Sequence, residues 1–248
     1  MARLICVANQ KGGVGKTTTA VNLAVNLALA GRKVLLVDLD PQCNATSGLG
    51  VQTTARHPLV SEEPLARSLV ACHAPGLTML PGSRSFHDVE QLAAGDKDHS
   101  ATLRAHLDAG MSAYDFVLFD CPPSLGKLTR TALASSTEVL MPIQCEYFAL
   151  EGLTQMIECV REVMSERNSA LEFGGIVLTM YDPSLELTAE VDQEVRDFFG
   201  DVVFDTVVPR DVALAEAPSH GQAAIEYAPR SRGTRAYVEL AMEVLERE

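Results

Sequence analysis

Between residues 11 and 18 the sequence reads Lys11-Gly12-Gly13-Val14-Gly15-Lys16-Thr17-Thr18. The apolar run before this stretch, residues 4–8, is typical of a strand that is buried on both faces. The Ala-, Leu- and Val-rich segment after it, residues 17–30, predicts a helix, and Gly31 is a natural helix stop. Residues 34–37 form a second apolar run. Strand, glycine turn, helix and strand in this order predict a βαβ unit with parallel strands.

The alternation of apolar runs and helical patterns continues along the chain. Further strands are predicted at residues 77–80, 116–119, 139–143, 175–179 and 202–208, and further helices at 101–109, 152–165, 187–199 and 234–245. This order predicts an α/β fold, a doubly wound, mostly parallel sheet with helices on both faces. Residues 51–70 are predicted as a surface loop with a short helix. No linker or low-complexity tract interrupts the pattern, so residues 1–248 are predicted to form a single domain.

The composition excludes several classes of protein. With 47% hydrophobic residues, the 248-residue chain can form an ordinary core, and its net charge of −13 argues against a general polyanion binder. The six cysteines form no CxxC pair and the histidines no metal-binding motif, so neither disulfides nor zinc are expected. No apolar stretch reaches about 18 residues, and the first apolar run is short for a signal peptide. We therefore expect a cytoplasmic protein.

The glycine-rich stretch has the chemistry of a phosphate-binding loop. Glycines let backbone N–H groups converge on phosphate oxygens, and the following helix N-terminus adds its positive dipole end. Lys16 is placed to reach the β- and γ-phosphates, and the Thr17 hydroxyl to bind Mg²⁺. The strict pattern GxxxxGK[ST] fails because Gln10 stands at its first glycine. The alternative is a glycine-rich turn that only links a strand to a helix, which would leave a buried Lys16 without an anionic partner.

Three aspartates stand at the ends of predicted strands. Asp38 and Asp40 follow the second strand, and Asp120 follows the strand at residues 116–119. Strand alternation puts Asp38 and Asp40 on the same side. Two carboxylates at a strand end beside a phosphate loop, such as Asp38 and Asp40, repel one another unless a cation is present. Asp120, at the end of an apolar strand, suits the role of holding a Mg²⁺-bound water. The alternatives are helix capping or a turn for Asp38 and Asp40, and a simple strand end for Asp120.

These motifs resemble those of a known family. KGGVGKTT is the deviant Walker A motif of the ParA/MinD group of P-loop ATPases, with an additional lysine at the loop entrance. The segments that extend the resemblance are Val37-Asp38-Leu39-Asp40-Pro41-Gln42, Asp120-Cys121-Pro122-Pro123-Ser124, Gln144-Cys145-Glu146-Tyr147-Phe148-Ala149-Leu150-Glu151-Gly152 and Glu216-Ala217-Pro218-Ser219-His220-Gly221. Together they are similar to the ParA/Soj branch, the chromosome- and plasmid-partitioning ATPases.

The resemblance implies ATP and Mg²⁺ as cofactors and a role for each site residue. Lys11 is implied to reach across an ATP-dependent homodimer to the second copy's nucleotide, as an arginine finger does. Asp40 is implied to orient the attacking water. The implied catalytic residues are Lys11, Lys16 and Asp40; the ATP-binding residues are Lys11, Gly12, Gly13, Val14, Gly15, Lys16, Thr17, Thr18, Pro209 and Asp211; Thr17 binds Mg²⁺ directly, and Asp38 and Asp120 through water. Pro209 and Asp211 contact adenine, although the family often has Asn at the second position.

The family's dimers bind DNA nonspecifically through basic residues, in a salt-dependent manner. The candidates in this chain are Arg196, Arg230, Arg232 and Arg235. The sequence departs from the family pattern, because Ala213 stands where relatives commonly carry an arginine and residues 182–186 lack another. The alternative for residues 229–235 is a solvated loop with charges at a helix start.

The resemblance therefore implies a partitioning ATPase that is associated with the nucleoid and stimulated by a ParB-type partner. A basic N-terminal segment of that partner would suit the acidic chain. The alternative is a ParA-like ATPase that positions a protein cargo, such as a chemotaxis cluster or a microcompartment. A MinD-like membrane-bound regulator is disfavoured because residues 241–248 are acidic where a basic amphipathic helix is needed, so no membrane partner is expected.

Overall fold

A computed structural model describes residues 2–56, 64–85, 113–146 and 149–247. Eight strands form one sheet in the order β3-β4-β2-β5-β1-β6-β7-β8. All neighbours are parallel except β3 and β4. The strands are β1 Arg3–Val7, β2 Val34–Asp38, β3 Val70–Ala71, β4 Leu77–Leu80, β5 Phe116–Asp120, β6 Glu138–Gln144, β7 Glu172–Tyr181 and β8 Val203–Pro209.

Eight α-helices are found in the described residues. They are α1 Lys16–Leu29, α2 Asn44–Gly48, α3 Lys127–Ser135, α4 Ala149–Glu166, α5 Glu186–Phe199, α6 Val212–Glu216, α7 Ala224–Tyr227 and α8 Arg232–Glu246. Short 3₁₀ helices lie at Leu65–Arg67, Gly200–Val202 and Ala217–His220. None of the helices in the described part of the chain has the length and apolar character needed to cross a membrane.

Side chains alternate between the two faces of the sheet, and each face has its own core. In β1, Leu4 and Cys6 belong to one core, and Ile5 and Val7 to the other. Helices α3, α4 and α5 cover the first core, whereas α1 and α8 cover the second. Helices on both faces of a mostly parallel sheet confirm the predicted doubly wound fold.

The predicted strands and helices are found, with shifted ends, wherever they fall on described residues. The predicted helix at 101–109 lies outside them. The largest shift is in β7, which is twice as long as the predicted 175–179 because Gly174 and Gly175 interrupt the apolar pattern. A Cβ at Gly175 would lie 2.2 Å from the Phe204 ring, so the glycine is needed for close packing between β7 and β8.

Several elements are not predicted by the sequence pattern. The nine-residue α3 is the longest of them, and the five-residue α2 follows β2 directly. Within residues 51–70 the described part contains the 3₁₀ helix Leu65–Arg67 and the start of β3, which pairs antiparallel with β4 at the edge of the sheet. These elements are too short for a hydrophobic period to show.

The carboxyl ends of three neighbouring strands, β1, β5 and β2, lie side by side at one edge of the sheet. β5 lies between β1 and β2, and Asp120 at its end is paired with Val7 on one side and Asp38 on the other. β1 is also the strand at which the order changes direction, because β5 lies on one side of it and β6 on the other. In doubly wound sheets ligands bind at the carboxyl ends of strands at such a switch point.

Candidate functional site

The loop between β1 and α1 leaves the sheet at this switch point. Gly13 and Gly15 have backbone φ angles of +79° and +89°, which residues other than glycine rarely adopt. Gly15 is the N-cap of α1 and no side chain caps that helix start. The first amides of α1 are therefore left for an anion, as in a phosphate-binding helix N-terminus. Gly12 and Gly13 are exposed, so a ligand can reach the loop.

Two polar side chains fix the loop from behind, through contacts that the sequence pattern does not predict. Asn9 Nδ2 donates to Pro142 O at 2.8 Å, and Asn9 Oδ1 accepts from Lys11 N at 3.0 Å. The Thr179 hydroxyl lies 2.8 Å from Val14 O. Both are buried and tie the loop to β6 and β7. Asn9 lies two residues before Lys11, but nothing in the sequence indicates the partner of Thr179.

Lys16 is a buried cation inside the loop. Its side chain is only 6% exposed, and Nζ donates to Lys11 O at 2.8 Å. Burial lowers the pKa of Lys16, while the charges of Asp120 and Asp40 raise it. The ammonium group is thus held by a backbone carbonyl of its own loop.

Asp120 is the most constrained group of the site. It is fully buried, and neither carboxylate oxygen has a hydrogen-bond partner among the described residues. Burial, followed by the charge of Asp38, raises the pKa of Asp120 well above its usual value; the nearby Thr17 side chain and Lys16 act in the opposite direction. An unpartnered buried carboxylate beside a hydroxyl fits a hydrated Mg²⁺ ion.

The oxygen donors at this edge do not form a closed metal cage. Within the described ranges, no group of three or more His, Cys, Asp or Glu side chains could hold a metal ion. Mg²⁺ is usually bound through one or two protein oxygens and completes its shell with water and phosphate. The Thr17 hydroxyl and the Asp120 carboxylate fit that pattern.

Asp38 is a buried carboxylate whose hydrogen bonds are made within the protein. Its oxygens accept from Thr46 Oγ1 at 2.6 Å, Thr46 N at 2.9 Å and Asp40 N at 3.1 Å. Burial raises the pKa of Asp38 to about 6 against the effect of these bonds. Gly82 N donates to Thr46 Oγ1 at 2.9 Å, so the network joins β2, α2 and the segment after β4. Asp38 therefore holds these three segments together at the carboxyl edge of the sheet. The part played by Thr46 was not predicted from the sequence.

Asp40 lies at the mouth of the same edge. It is 6% exposed, and Oδ1 accepts from Gln42 N at 2.9 Å. Its charge raises the pKa of both Lys16 and Asp38. A carboxylate in this position can orient a water molecule next to a bound phosphate.

The side chain of Lys11 points away from its own loop. Nζ lies 2.7 Å from Glu146 Oε2, and Gln144 Nε2 donates to the other carboxylate oxygen, Oε1, at 2.5 Å. The two charged side chains are 37% and 48% exposed. Glu146 belongs to a segment quoted for the resemblance, but its contact with Lys11 was not predicted.

A pocket of about 190 Å³ continues from the loop toward the end of β8. Gly15 and Thr18 line one end, and Met180, Pro209 and Asp211 the other. The Asp211 carboxylate accepts from Ala213 N at 3.0 Å and from Gly233 N at 2.7 Å. Since it caps α6 and anchors the start of α8, any contact of Asp211 with a base is expected through its backbone.

The four arginines predicted for DNA binding do not form one patch. Arg230, Arg232 and Arg235 are exposed at the start of α8. Arg196 lies on α5, on the opposite face of the sheet, where it pairs with Asp192 at 2.6 Å and lies 3.8 Å from Asp205. Its charge is locally balanced, so the accessible positive charge is at the α8 start.

Comparison with known proteins gives a consistent result. A family model described as an AAA domain matches residues 2–173. The chain is 44% identical to the sporulation initiation inhibitor protein Soj of Bacillus subtilis over 98% of both chains. It is also 44% identical to the chromosome partitioning protein ParA of Caulobacter vibrioides, over 99% of this chain and 95% of that one.

The fold is shared with solved structures. Cobyrinic acid a,c-diamide synthase from Mycobacterium smegmatis, crystallised with bound ADP and magnesium, has a TM-score of 0.85 and 31% identity. The match covers 99% of this chain and 95% of that one.

Proposed function

The chain belongs to the family of the Soj and ParA chromosome-partitioning ATPases, and we propose that it acts as such an ATPase itself. In this proposal it binds ATP with Mg²⁺ at residues 11–18, dimerises on binding and hydrolyses ATP to ADP and phosphate. The ATP-bound dimer binds DNA nonspecifically, and a ParB-type partner stimulates hydrolysis.

The observation that carries the proposal is the unpartnered carboxylate of Asp120 beside Thr17 and Lys16. A buried charge without a partner is costly, and a neighbouring Lys16 held only by a carbonyl does not neutralise it directly. A magnesium nucleotide would give all three side chains a partner at once. The ADP and magnesium bound in the Mycobacterium smegmatis structure support this assignment.

The residues that would hold the metal are Thr17, directly, and Asp120 and Asp38, through water. Bound Mg²⁺ supplies neutralisation of the charge on the β- and γ-phosphates. When ATP binds, Lys16 gives up its hydrogen bond to Lys11 O and binds phosphate oxygens instead. Its ammonium group then stabilises the negative charge that develops during phosphoryl transfer. The loop amides after Gly13 hold the phosphates in place, and the Asn9 and Thr179 contacts keep these amides rigid.

Hydrolysis then depends on two further side chains. Asp40 orients the attacking water at the γ-phosphate. Lys11 leaves Glu146 and reaches the nucleotide of the second copy, where a finger of this kind contributes roughly 10³–10⁵ in rate. Because Lys11 acts only across the dimer, hydrolysis requires dimerisation.

DNA binding is assigned to the exposed start of α8. Arg230, Arg232 and Arg235 lie together there, whereas the rest of the chain is acidic. Attraction to phosphates must act against a net charge of −13, so binding is expected to be weak and strongly salt-dependent.

The direct test is the rate of ATP hydrolysis with and without duplex DNA and the cognate ParB-type protein. We expect slow intrinsic turnover that rises with both. Lys16→Ala should abolish ATP binding, and the matched control Lys33→Ala, an exposed lysine before β2, should not. Absence of ATP binding by the wild-type protein would refute the proposal.

A further inference from the structure

A groove of about 600 Å³ lies between α4 and α5, and none of its lining residues belongs to the site described above. Its floor is made by β7 and the segment before β8. The lining side chains are Leu153, Thr154, Ile157, Glu158 and Arg161 from α4, Glu194, Phe198 and Phe199 from α5, and Phe173 and Val202 from the floor. The helix positions repeat every three or four residues, so each helix presents one continuous stripe to the groove.

The groove exists because the two helices stand apart. α4 packs closely against α3 on one side and leaves a gap toward α5 on the other. At the mouth of this gap Phe198 is 78% exposed, and its ring meets that of Phe199 edge-on at 4.7 Å between centroids. A large aromatic side chain left in water beside an open apolar groove marks an interaction surface.

The charges around the groove select its occupant. α5 carries five acidic side chains and one basic one, and α4 carries four and one. Two glutamates, Glu158 and Glu194, and one cation, Arg161, line the groove, so its charged lining is net negative. Among the described residues, no ion pair is found for either glutamate. A second copy of this acidic chain is repelled by such a rim, whereas a cationic partner is attracted.

We infer that the groove binds an amphipathic helical segment of a partner protein. Apolar side chains spaced one helical turn apart would enter between Ile157 and Phe198, and lysines or arginines on their flanks would face Glu158 and Glu194. The assignment of this segment to the ParB-type partner rests on the proposed function. The existence of the groove and the chemistry of its ligand are independent of that function.

The test measures binding of a fluorescein-labelled, 18-residue helical peptide of leucine and lysine to the full chain. The control peptide has the same composition, scrambled so that no apolar face forms. Phe198→Ser should weaken binding at least tenfold, because an aromatic anchor is lost. The matched control Met242→Ser, at an exposed apolar residue of α8, should stay within about twofold.

Charge is tested separately with a double variant, Glu158→Lys and Glu194→Lys. We expect this variant to weaken binding at least tenfold and Glu239→Lys, on the exposed face of α8, to have little effect. Equal binding of the scrambled peptide, or equal losses in the control variants, would show that the peptide binds the acidic surface at large and would overturn the inference.

Two further experiments separate a failure of this inference from a failure of the proposed function. The ParB-type protein should stimulate hydrolysis by the wild-type chain but not by Phe198→Ser, whose basal rate should be unchanged. If the chain does not hydrolyse ATP, the proposed function fails, while peptide binding still decides the inference. If the nucleotide-free wild type forms dimers that Phe198→Ser abolishes, the groove is an interface between copies, and the inference is wrong.

Discussion

Lys11 Nζ lies 2.7 Å from Glu146 Oε2, so the lysine proposed to act on another copy's nucleotide is paired within its own copy. Both side chains are well exposed, and a surface pair of this kind contributes at most about 1 kcal/mol. The contact is therefore weak enough to be exchanged for a phosphate in the proposed dimer, and in that proposal it competes with dimerisation.

Glu146→Gln should strengthen ATP-dependent dimerisation, by up to about fivefold, because it removes the competing charge. Analytical ultracentrifugation across protein concentrations measures the dimer dissociation constant. The matched control is Glu162→Gln, which breaks another surface pair, with Arg130 at 2.7 Å, away from the phosphate loop. A weaker dimer in Glu146→Gln would mean that Glu146 contributes to the interface instead.

Lys11→Ala should abolish hydrolysis, with a loss of roughly 10³–10⁵ in rate, while ATP affinity changes little. Affinity is preserved because the Lys11 backbone, which holds Lys16 and Asn9, is untouched. Phosphate release and nucleotide titration separate the two effects, with Lys33→Ala as control. Normal turnover by Lys11→Ala would refute the role of this lysine across the dimer.

Asp120→Asn should raise the free energy of unfolding of the nucleotide-free protein by about 1–2 kcal/mol, because it removes a buried charge that has no partner. The same variant should lose the dependence of ATP affinity on Mg²⁺. Denaturant unfolding and nucleotide titration with and without Mg²⁺ measure both effects. Asp201→Asn, an exposed control before β8, should change neither. Destabilisation together with normal Mg²⁺ dependence would contradict the account of this site.

Arg232→Glu combined with Arg235→Glu should weaken retention of duplex DNA by the ATP-bound protein and reduce its salt dependence, since phosphate contacts are lost. A shift assay at low salt measures retention. Arg196→Glu, on the opposite face of the sheet, should have little effect. If the wild-type protein with ATP retains no DNA, nonspecific DNA binding by the α8 start is refuted.

The sequence predicts the frame of the fold because the frame is made of uninterrupted apolar runs separated by turn residues. β1, β2 and β5 are buried on both faces, and Gly31 ends α1 with φ of +88°. α3 is missed although Leu128, Ala132 and Leu133 give it a buried side, because nine residues with a polar remainder make a weak period.

The candidate site also has a part that the sequence predicts and a part that it does not. The residues of the loop and the aspartates at strand ends are predictable because a glycine turn and a strand end determine where they lie. The contacts of Thr46 with Asp38 and of Glu146 with Lys11 join segments that are 8 and 135 residues apart. Such pairings depend on tertiary packing, which no local pattern encodes. The separation of Arg196 from the α8 arginines likewise depends on which face each helix covers.

The most direct measurement of the central claim is the mass of Asp40→Ala in solution with Mg²⁺ and ATP, determined by light scattering. Removing the water-orienting carboxylate should block hydrolysis and leave ATP binding intact, so that a stable dimer accumulates with ATP and a monomer remains with ADP. A protein that binds no ATP, or that stays monomeric with ATP bound, would contradict the account.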